Sequence, residues 1–217
     1  FRKCKLVNEM YVVRYRKPKR VVENIKYYTF SNKNKILEII YYTFNLLKVL
    51  STKKIDLIVS FNPFPWGLIS FFCAKIMRKP ILLGLIGGEL DSKRTSYFKI
   101  NVLLKILDYV DIITVTGEST KKQLLGLGFK EEKIFIYPHL VDTEYLNITK
   151  TKRLESNIVT ITSFLPVKRT IDSIKAIALL KNEGFDINLV ILGKGPNISI
   201  CKSLVKELNI EKNIDFV

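Results

Sequence analysis

Two loops in the second half of the sequence carry residues that suit binding to a phosphate group. Lys168 and Arg169 close the segment SFLPVKR, which begins at Ser163 and precedes a helical pattern, and Gly193 and Gly195 belong to the segment GKGP. A cation at a helix N-terminus neutralises a phosphate whose oxygens also accept hydrogen bonds from free backbone N–H groups. Glycines let the backbone contact such a ligand, although GKGP lacks the spacing and the Lys-Ser/Thr ending of a P-loop. Taken singly, a solvent-facing Lys-Arg pair is the commoner explanation for the first loop, and the glycines of the second are a weak signal.

A third loop and an isolated histidine are further candidates for proton transfer or for lining a binding cleft. Gly87 and Gly88 precede Glu89, directly after an apolar run at 81–85. The Glu89 carboxylate could accept a hydrogen bond from a hydroxyl group or act as a general base; the alternative is a solvated acid in a tight turn. His139 is the single histidine and lies between the two halves of the chain. A structural role is the commoner alternative to a place in a cleft for a lone histidine.

The cysteine and histidine content excludes several other kinds of chemistry. The three cysteines, Cys4, Cys73 and Cys201, lie far apart and are odd in number. This argues against a disulfide framework and for a reducing compartment such as the cytoplasm. With no CxxC spacing and one histidine, we expect no metal site. The sequence also lacks HExxH and the GxSxG nucleophile elbow.

The positive charge is concentrated at the beginning of the chain. The 217 residues are 47% hydrophobic and 26% charged, as expected for one large globular domain or two small ones, and the formal net charge is +16. Residues 1–54 contain 14 Lys or Arg against three Glu, a net charge of +11, with tyrosines and phenylalanine interspersed. Three explanations stay open: a solvated surface in a Lys-rich chain, a surface that contacts anionic lipid, and a nucleic-acid interface.

Short apolar runs alternate along the chain with longer amphipathic segments, which is the pattern of βαβ units with parallel strands. We predict strands at 11–13, 56–60, 80–85, 111–115, 133–137, 158–162, 187–192 and 214–217, and helices at 34–50, 67–77, 99–107, 119–127, 170–182 and 198–208. The strand at 56–60 is expected to be buried on both faces. The uncharged stretch 57–74 contains Pro63 and Pro65, so a strand, a loop and a helix are predicted there rather than a membrane-spanning helix.

A polar stretch at 142–156 interrupts this alternation and is predicted to be a linker. The sequence therefore predicts two doubly wound α/β domains, at 1–147 and 148–217, of which the second stops after about 60 to 70 residues and is incomplete. Ligands of open parallel sheets bind beyond the carboxyl ends of the strands. The loops at 87–89, 163–169 and 193–195 each follow a predicted strand, so they are the expected binding loops.

Three long segments together resemble a known family. They are DLIVSFNPFPWGLISFFCAKIMRKPILL, GESTKKQLLGLGFKEEKIFIYPHLVDTEYL and ITSFLPVKRTIDSIKAIALLKNEGFDINLVILGKGP. In their order and spacing, residues 56–217 resemble the retaining glycosyltransferases of family 4, which have the GT-B fold. The resemblance implies two Rossmann-like domains that face a cleft, the first on the acceptor side and the second binding a nucleotide-sugar. It also implies that the first Gly-rich loop precedes Phe1 and that a Glu-x7-Glu motif follows Val217, so the chain is expected to be a fragment.

The resemblance assigns expected roles to the loop residues. Lys168 matches the lysine that contacts the donor diphosphate, and Gly193 and Gly195 match a Gly-rich turn of the same site. Ser163 stands where the family has a second phosphate-binding arginine, and Arg169 stands where it has glycine. Ser163, Lys168, Arg169, Gly193 and Gly195 are thus the predicted donor diphosphate-binding residues.

The catalytic loop departs from the family pattern. Glu89 falls on the acid of an HGxD-like loop and is the predicted catalytic residue, while Ile86 replaces the histidine. Gly87, Gly88 and His139 are predicted to line the cleft. No cofactor beyond the nucleotide-sugar donor is expected, because Lys168 and a helix N-terminus supply positive charge.

The resemblance implies transfer of a sugar from a nucleotide-diphosphate-sugar to an acceptor hydroxyl with retention. The expected acceptor is a lipid-linked or cell-surface glycan precursor. The expected location is the cytoplasm, with the basic residues 1–54 attached peripherally to the inner face of the membrane. The alternatives are a catalytically inactive GT-B scaffold or partner subunit, a GT-B enzyme of another reaction such as an epimerase, and a basic nucleic-acid-binding protein.

Overall fold

The chain divides into two compact units, Phe1–Val141 and Asp142–Val217. The computed structural model describes residues 7–15, 17–18, 21–30, 34–92, 95–138, 141 and 156–217. The predicted linker lies almost wholly outside these residues, and so does the predicted boundary between 147 and 148. The assignment of the two units to acceptor and donor stays a prediction.

Unit 1 consists of parallel strands and the helices that connect them. Its strands are β1 (Met10–Arg14), β2 (Ile25–Thr29), β3 (Ile58–Phe61), β4 (Ile81–Leu85), β5 (Ile112–Val115) and β6 (Ile134–Ile136), and its helices are α1 (Lys35–Thr52), α2 (Leu68–Ile76), α3 (Tyr97–Tyr109) and α4 (Glu118–Gly126). Short helical turns cover Pro63–Gly67 and Glu131–Lys133. β1 pairs with β2, and a second sheet has the order β3-β4-β5-β6; every pair is parallel.

The core of unit 1 lies on one face of the four-stranded sheet. Register places Leu83 beside Ile113 and Leu85 beside Val115, and all four side chains are buried against the helices. This burial follows from strand geometry, in which alternate residues share a face.

The prediction that β3 is buried on both faces is wrong. Ile58 and Ser60 are buried, whereas Val59 is 37% exposed and Phe61 is 40% exposed. Within the described residues, β3 pairs on one side only, with β4, and the helices of unit 1 pack against the opposite face from Val59 and Phe61. The continuous apolar run in the sequence therefore predicted more burial of β3 than the structure shows.

Helix α1 (Lys35–Thr52) confirms the helix predicted at 34–50, and the segment that includes β3 confirms a second prediction. The Asn34 side chain caps α1 by accepting a hydrogen bond from the Ile36 N–H, at 2.9 Å. The stretch 57–74 forms β3, the turn at Pro63–Gly67 and α2, as the two prolines indicated. Among the described helices, none has the length and apolar content needed to cross a membrane.

Unit 2 is a smaller parallel α/β unit. Its strands β7 (Asn157–Ser163), β8 (Asn188–Lys194) and β9 (Ile214–Phe216) form a sheet in that order, and its helices are α5 (Thr170–Asn182) and α6 (Ile198–Glu207). Short turns cover Pro166–Lys168 and Glu211–Asn213. Ile174 and Ile177 of α5 pack with Leu189 and Ile191 of β8 in its core. The predicted alternation of strand and helix is confirmed throughout this unit.

Candidate functional site

The loop after β4 is held in shape by its own glutamate. The Ile86 N–H donates to Glu89 Oε1 at 3.0 Å, and the Gly87 N–H donates to Glu89 Oε2 at 2.7 Å. Gly87 and Gly88 have φ values of +133° and +88°, which favour glycine. Both carboxylate oxygens of Glu89 therefore accept backbone hydrogen bonds, and the residue shapes the loop in which it was predicted to act. Its catalytic role stays a prediction.

Side chains of neighbouring segments brace this loop beside a pocket. The Thr95 hydroxyl donates to the Gly88 carbonyl at 3.1 Å, and the Thr116 hydroxyl donates to the Ile86 carbonyl at 3.4 Å. The pocket has a volume of about 400 Å³ and mostly polar walls, formed by Gly88, Glu89, Leu90, Asp91, Ser92, Thr120 and Gln123. Such walls suit a ligand rich in hydroxyl groups.

In unit 2, two predicted binding loops are in direct backbone contact. A Cβ atom added to Gly193 would lie 1.8 Å from the Thr162 carbonyl oxygen, and one added to Gly195 would lie 2.6 Å from the Phe164 nitrogen. The Phe164 N–H also donates to the Lys194 carbonyl at 3.2 Å. The two glycines are therefore required by the close approach of the carboxyl ends of β7 and β8 and of the residues that follow them.

Helix α5 begins after the loop that follows β7, and two cations precede its first residue. Lys168 ends the turn Pro166–Lys168, and Arg169 has a left-handed backbone (φ 52°) immediately before Thr170. Both cations are exposed. Arg169 forms an ion pair with Asp172, whereas Lys168 has no ion-pair partner among the residues that the structure describes. Lys168 thus leaves an unneutralised cation beside the N-terminus of a 13-residue helix, a favourable place for an anion.

The same helix end contains a buried hydroxyl that the sequence analysis did not single out. Thr170 is 6% exposed, and its Oγ1 has no hydrogen-bond partner in the described part of the chain. Leaving a buried hydroxyl unsatisfied costs about 1–3 kcal/mol. Thr170 is one of the residues that line a pocket of about 240 Å³, formed by Phe164, Leu165, Pro166, Arg169, Thr170, Ile171, Asp172, Asn197 and Cys201. The available signal was its position directly after Lys168-Arg169 at a predicted helix start.

The predicted site residues therefore fall into two groups, one in each unit. Gly87, Gly88 and Glu89 share the loop after β4. Ser163, Lys168, Arg169, Gly193 and Gly195 lie at the carboxyl ends of β7 and β8 or in the loops that follow them. His139 lies outside the described residues. Within the described segments, no three His, Cys, Asp or Glu side chains form a group that could hold a metal ion.

Comparison with known proteins relates this arrangement to one enzyme family. The sequence model of Glycosyltransferase Family 4 matches residues 8–145. Protein CapJ of Staphylococcus aureus is 27% identical over 179 residues, which cover 77% of this chain and 44% of CapJ.

Two solved structures share the fold at low sequence identity. HepE of Anabaena, solved in complex with UDP and glucose, is 13% identical with a TM-score of 0.67, over 89% of this chain and 56% of HepE. TarM of S. aureus, solved with Fondaparinux, alpha-GlcNAc-glycerol and UDP, is 16% identical with a TM-score of 0.65, over 82% of this chain and 36% of TarM.

The chain spans about half the length of these proteins or less. The structural likeness confirms the predicted α/β, GT-B fold. Since the family match extends over more than half of the residues, the chain belongs to glycosyltransferase family 4.

Proposed function

We propose that the whole protein transfers a sugar from a nucleoside diphosphate sugar to an acceptor hydroxyl with retention of configuration. Family membership supports the reaction class. The observation that carries the donor assignment is the N-terminus of α5, where exposed Lys168 and Arg169 precede Thr170, whose buried hydroxyl has no hydrogen-bond partner among the described residues. HepE and TarM, which share the fold, were both solved with UDP.

In this proposal, α5 binds the leaving diphosphate. Negative charge grows on the diphosphate oxygens as the bond to the sugar breaks. Lys168, the N-terminal N–H groups of α5 and the Thr170 hydroxyl then stabilise that charge. One such group contributes about 2–4 kcal/mol to lowering a barrier. Retention follows if the acceptor hydroxyl attacks from the same face from which the diphosphate departs.

We further propose a lipid-linked or cell-surface glycan precursor as the acceptor, with the protein on the cytoplasmic face of a membrane. The net charge of +11 within residues 1–54 supports attraction to anionic lipid. The pocket beside Glu89, with its polar walls, is suited to the hydroxyl groups of an acceptor sugar.

The donor site is tested by comparing the binding of UDP, UMP and uridine by calorimetry. We expect Lys168→Ala to weaken UDP binding roughly tenfold, the loss of about one charge-assisted contact, and to leave uridine binding unchanged. Lys175→Ala is the matched control, because Lys175 is exposed on the same helix beyond its first turn. Equal effects of the two substitutions, or equal affinities for UDP and uridine, would contradict the proposed site.

A catalytically inactive scaffold is the second candidate. Ile86, which is 43% exposed, has an apolar side chain where the family has a histidine, and Ser163 stands where it has an arginine. A scaffold would bind UDP and turn over no nucleotide-sugar.

A further inference from the structure

One residue at the carboxyl end of β3 has an unusual backbone conformation. Asn62 has φ 80° and ψ 99°, which lies outside the left-handed helical region and is unfavourable for a residue with a Cβ atom. Glycine would adopt this conformation without strain. Arg78 and Asn209 also have positive φ, but each directly follows the C-cap of a helix, where a left-handed residue is usual. Asn62 follows a strand instead.

The surrounding turn fixes this conformation through the backbone N–H and carbonyl of Asn62. The N–H donates to the Gly84 carbonyl at 3.3 Å, and the carbonyl accepts from the Gly67 N–H at 3.1 Å. A Cβ atom added to Gly67 would lie 2.9 Å from the Asn62 carbonyl oxygen and 2.9 Å from Leu83 Cδ1, so the turn Pro63–Gly67 closes tightly on that carbonyl. Backbone strain that the surroundings maintain in this way is concentrated at functional sites.

The side chain of Asn62 is exposed and available to a ligand. Its amide makes no hydrogen bond to any of the residues that the structure describes, those of its own turn included. The amide therefore does not hold the turn, which a glycine at this position would form with less strain. An exposed amide supplies both a donor and an acceptor for a polar ligand.

Asn62 lies at the edge of the sheet where the candidate site of unit 1 is found. Phe61 pairs with Gly84, so Asn62 lies beside Leu85, at roughly 5 Å between Cα atoms. Leu85 leads directly into the loop that contains Glu89, which forms part of the wall of the pocket of about 400 Å³. Parallel sheets bind their ligands at this edge.

We propose that the Asn62 amide binds the acceptor sugar by donating a hydrogen bond to one of its hydroxyl groups. The proposal deepens the proposed function, on which it rests for a sugar acceptor that binds to unit 1. A neutral amide suits a neutral hydroxyl group. The donor diphosphate is assigned to the cations of unit 2, so contacts to donor and acceptor are tested separately.

The experiment is NMR titration of the whole protein with three probes, the methyl glycosides of glucose, galactose and N-acetylglucosamine. The test variant is Asn62→Gly. The matched control is Asn24→Gly, because Asn24 is also exposed with a positive φ (65°) but lies directly before the amino end of β2. We expect at least one glycoside to bind the unsubstituted protein. Asn62→Gly should weaken that binding roughly three- to tenfold, and Asn24→Gly should leave it unchanged.

Stability and a second variant separate a ligand contact from a structural role. Asn62→Gly relieves strain, so we expect the midpoint of urea unfolding, followed by Trp66 fluorescence, to rise by up to about 1 M. Asn62→Asp keeps the Cβ atom and removes the NH₂ donor, so it should weaken binding of the same glycoside without raising the midpoint. Weakening by Asn62→Gly alone would assign the effect to a more flexible loop and overturn the proposal.

Other outcomes would also contradict a contact between Asn62 and the acceptor sugar. They are the failure of every glycoside to bind the unsubstituted protein, an unchanged affinity in Asn62→Gly, and a lower urea midpoint in Asn62→Gly, which would show that the asparagine serves the fold. UDP binding is measured on the same samples. Weaker glycoside binding with UDP binding intact is expected here, whereas glycoside binding without UDP binding would contradict the proposed donor site alone.

Discussion

Thr170→Val separates the stability of unit 2 from its proposed ligand binding. Valine has nearly the same shape as threonine and removes only the hydroxyl, whose oxygen is buried and has no hydrogen-bond partner among the described residues. Because the penalty for that buried group, about 1–3 kcal/mol, disappears, we expect the free energy of unfolding of unit 2 to rise by about 1 kcal/mol or more. Such a gain is uncommon for a single substitution in a core.

The same substitution is expected to weaken UDP binding. A hydrogen bond to a charged oxygen is worth about 1.5–3 kcal/mol, so the loss of the hydroxyl predicts a roughly 10- to 100-fold higher dissociation constant. Calorimetry measures this constant. Amide exchange in β7–β9 and α5 measures the stability, because Trp66, the single tryptophan, lies in unit 1 and does not report on unit 2.

Thr162→Val is the control, because the Thr162 hydroxyl has a hydrogen-bond partner: it donates to the Ser163 carbonyl at 3.2 Å. Its removal is expected to lower the stability slightly. If Thr170→Val destabilises unit 2 by more than about 1 kcal/mol, or leaves UDP affinity unchanged, then the hydroxyl is either satisfied within the protein or remote from the ligand.

Three further experiments test other parts of the structure. Gly193→Ala should lower the free energy of unfolding of unit 2 by roughly 2–4 kcal/mol in urea titration, because its Cβ would overlap the Thr162 carbonyl. Gly126→Ala is the control: its Cβ meets open space, so it should raise the stability of unit 1 by up to about 1 kcal/mol. The Ile86 and Gly87 N–H groups donate to the Glu89 carboxylate, so Glu89→Gln should speed their amide exchange about fivefold. Unchanged exchange would show that the carboxylate does not hold the loop. Burial raises the pKa of the Cys73 and Cys201 thiols, so iodoacetamide at pH 8 should modify both only after unfolding in urea. Peptide mass spectrometry measures the modification, and rapid labelling of the native protein would contradict their burial.

The alternation of strands and helices was predictable because each element has its own apolar pattern. Helix α5 was predicted with its observed bounds, Thr170–Asn182. Strand β2 was not predicted, since its residues IKYYT contain a single aliphatic side chain and lie in a segment rich in basic residues. It is stabilised by pairing with β1 rather than by a strong local pattern. The burial of β3 on a single face also depends on which elements cover it, and the sequence of the strand does not encode that.

The position of the candidate loops was predictable, and their internal contacts were not. Glycines and cations that follow apolar runs indicated the carboxyl ends of parallel strands. That both Glu89 oxygens turn back to their own loop depends on local backbone geometry. The burial of Thr170 Oγ1 depends on how the residues around the start of α5 pack. Neither the hydrogen bonds of Glu89 nor the burial of the Thr170 hydroxyl can be predicted from residue type or spacing.

Nucleotide-sugar turnover by the whole protein tests the central proposal most directly. Proton NMR follows UDP-glucose, UDP-galactose and UDP-N-acetylglucosamine in the presence of detergent-solubilised lipid-linked acceptors. We expect release of UDP, a product with the anomeric configuration of the donor, and a roughly 100- to 1000-fold lower rate for Lys168→Ala. UDP binding without turnover of any donor would indicate a scaffold, and a product of inverted configuration would contradict the proposed retention.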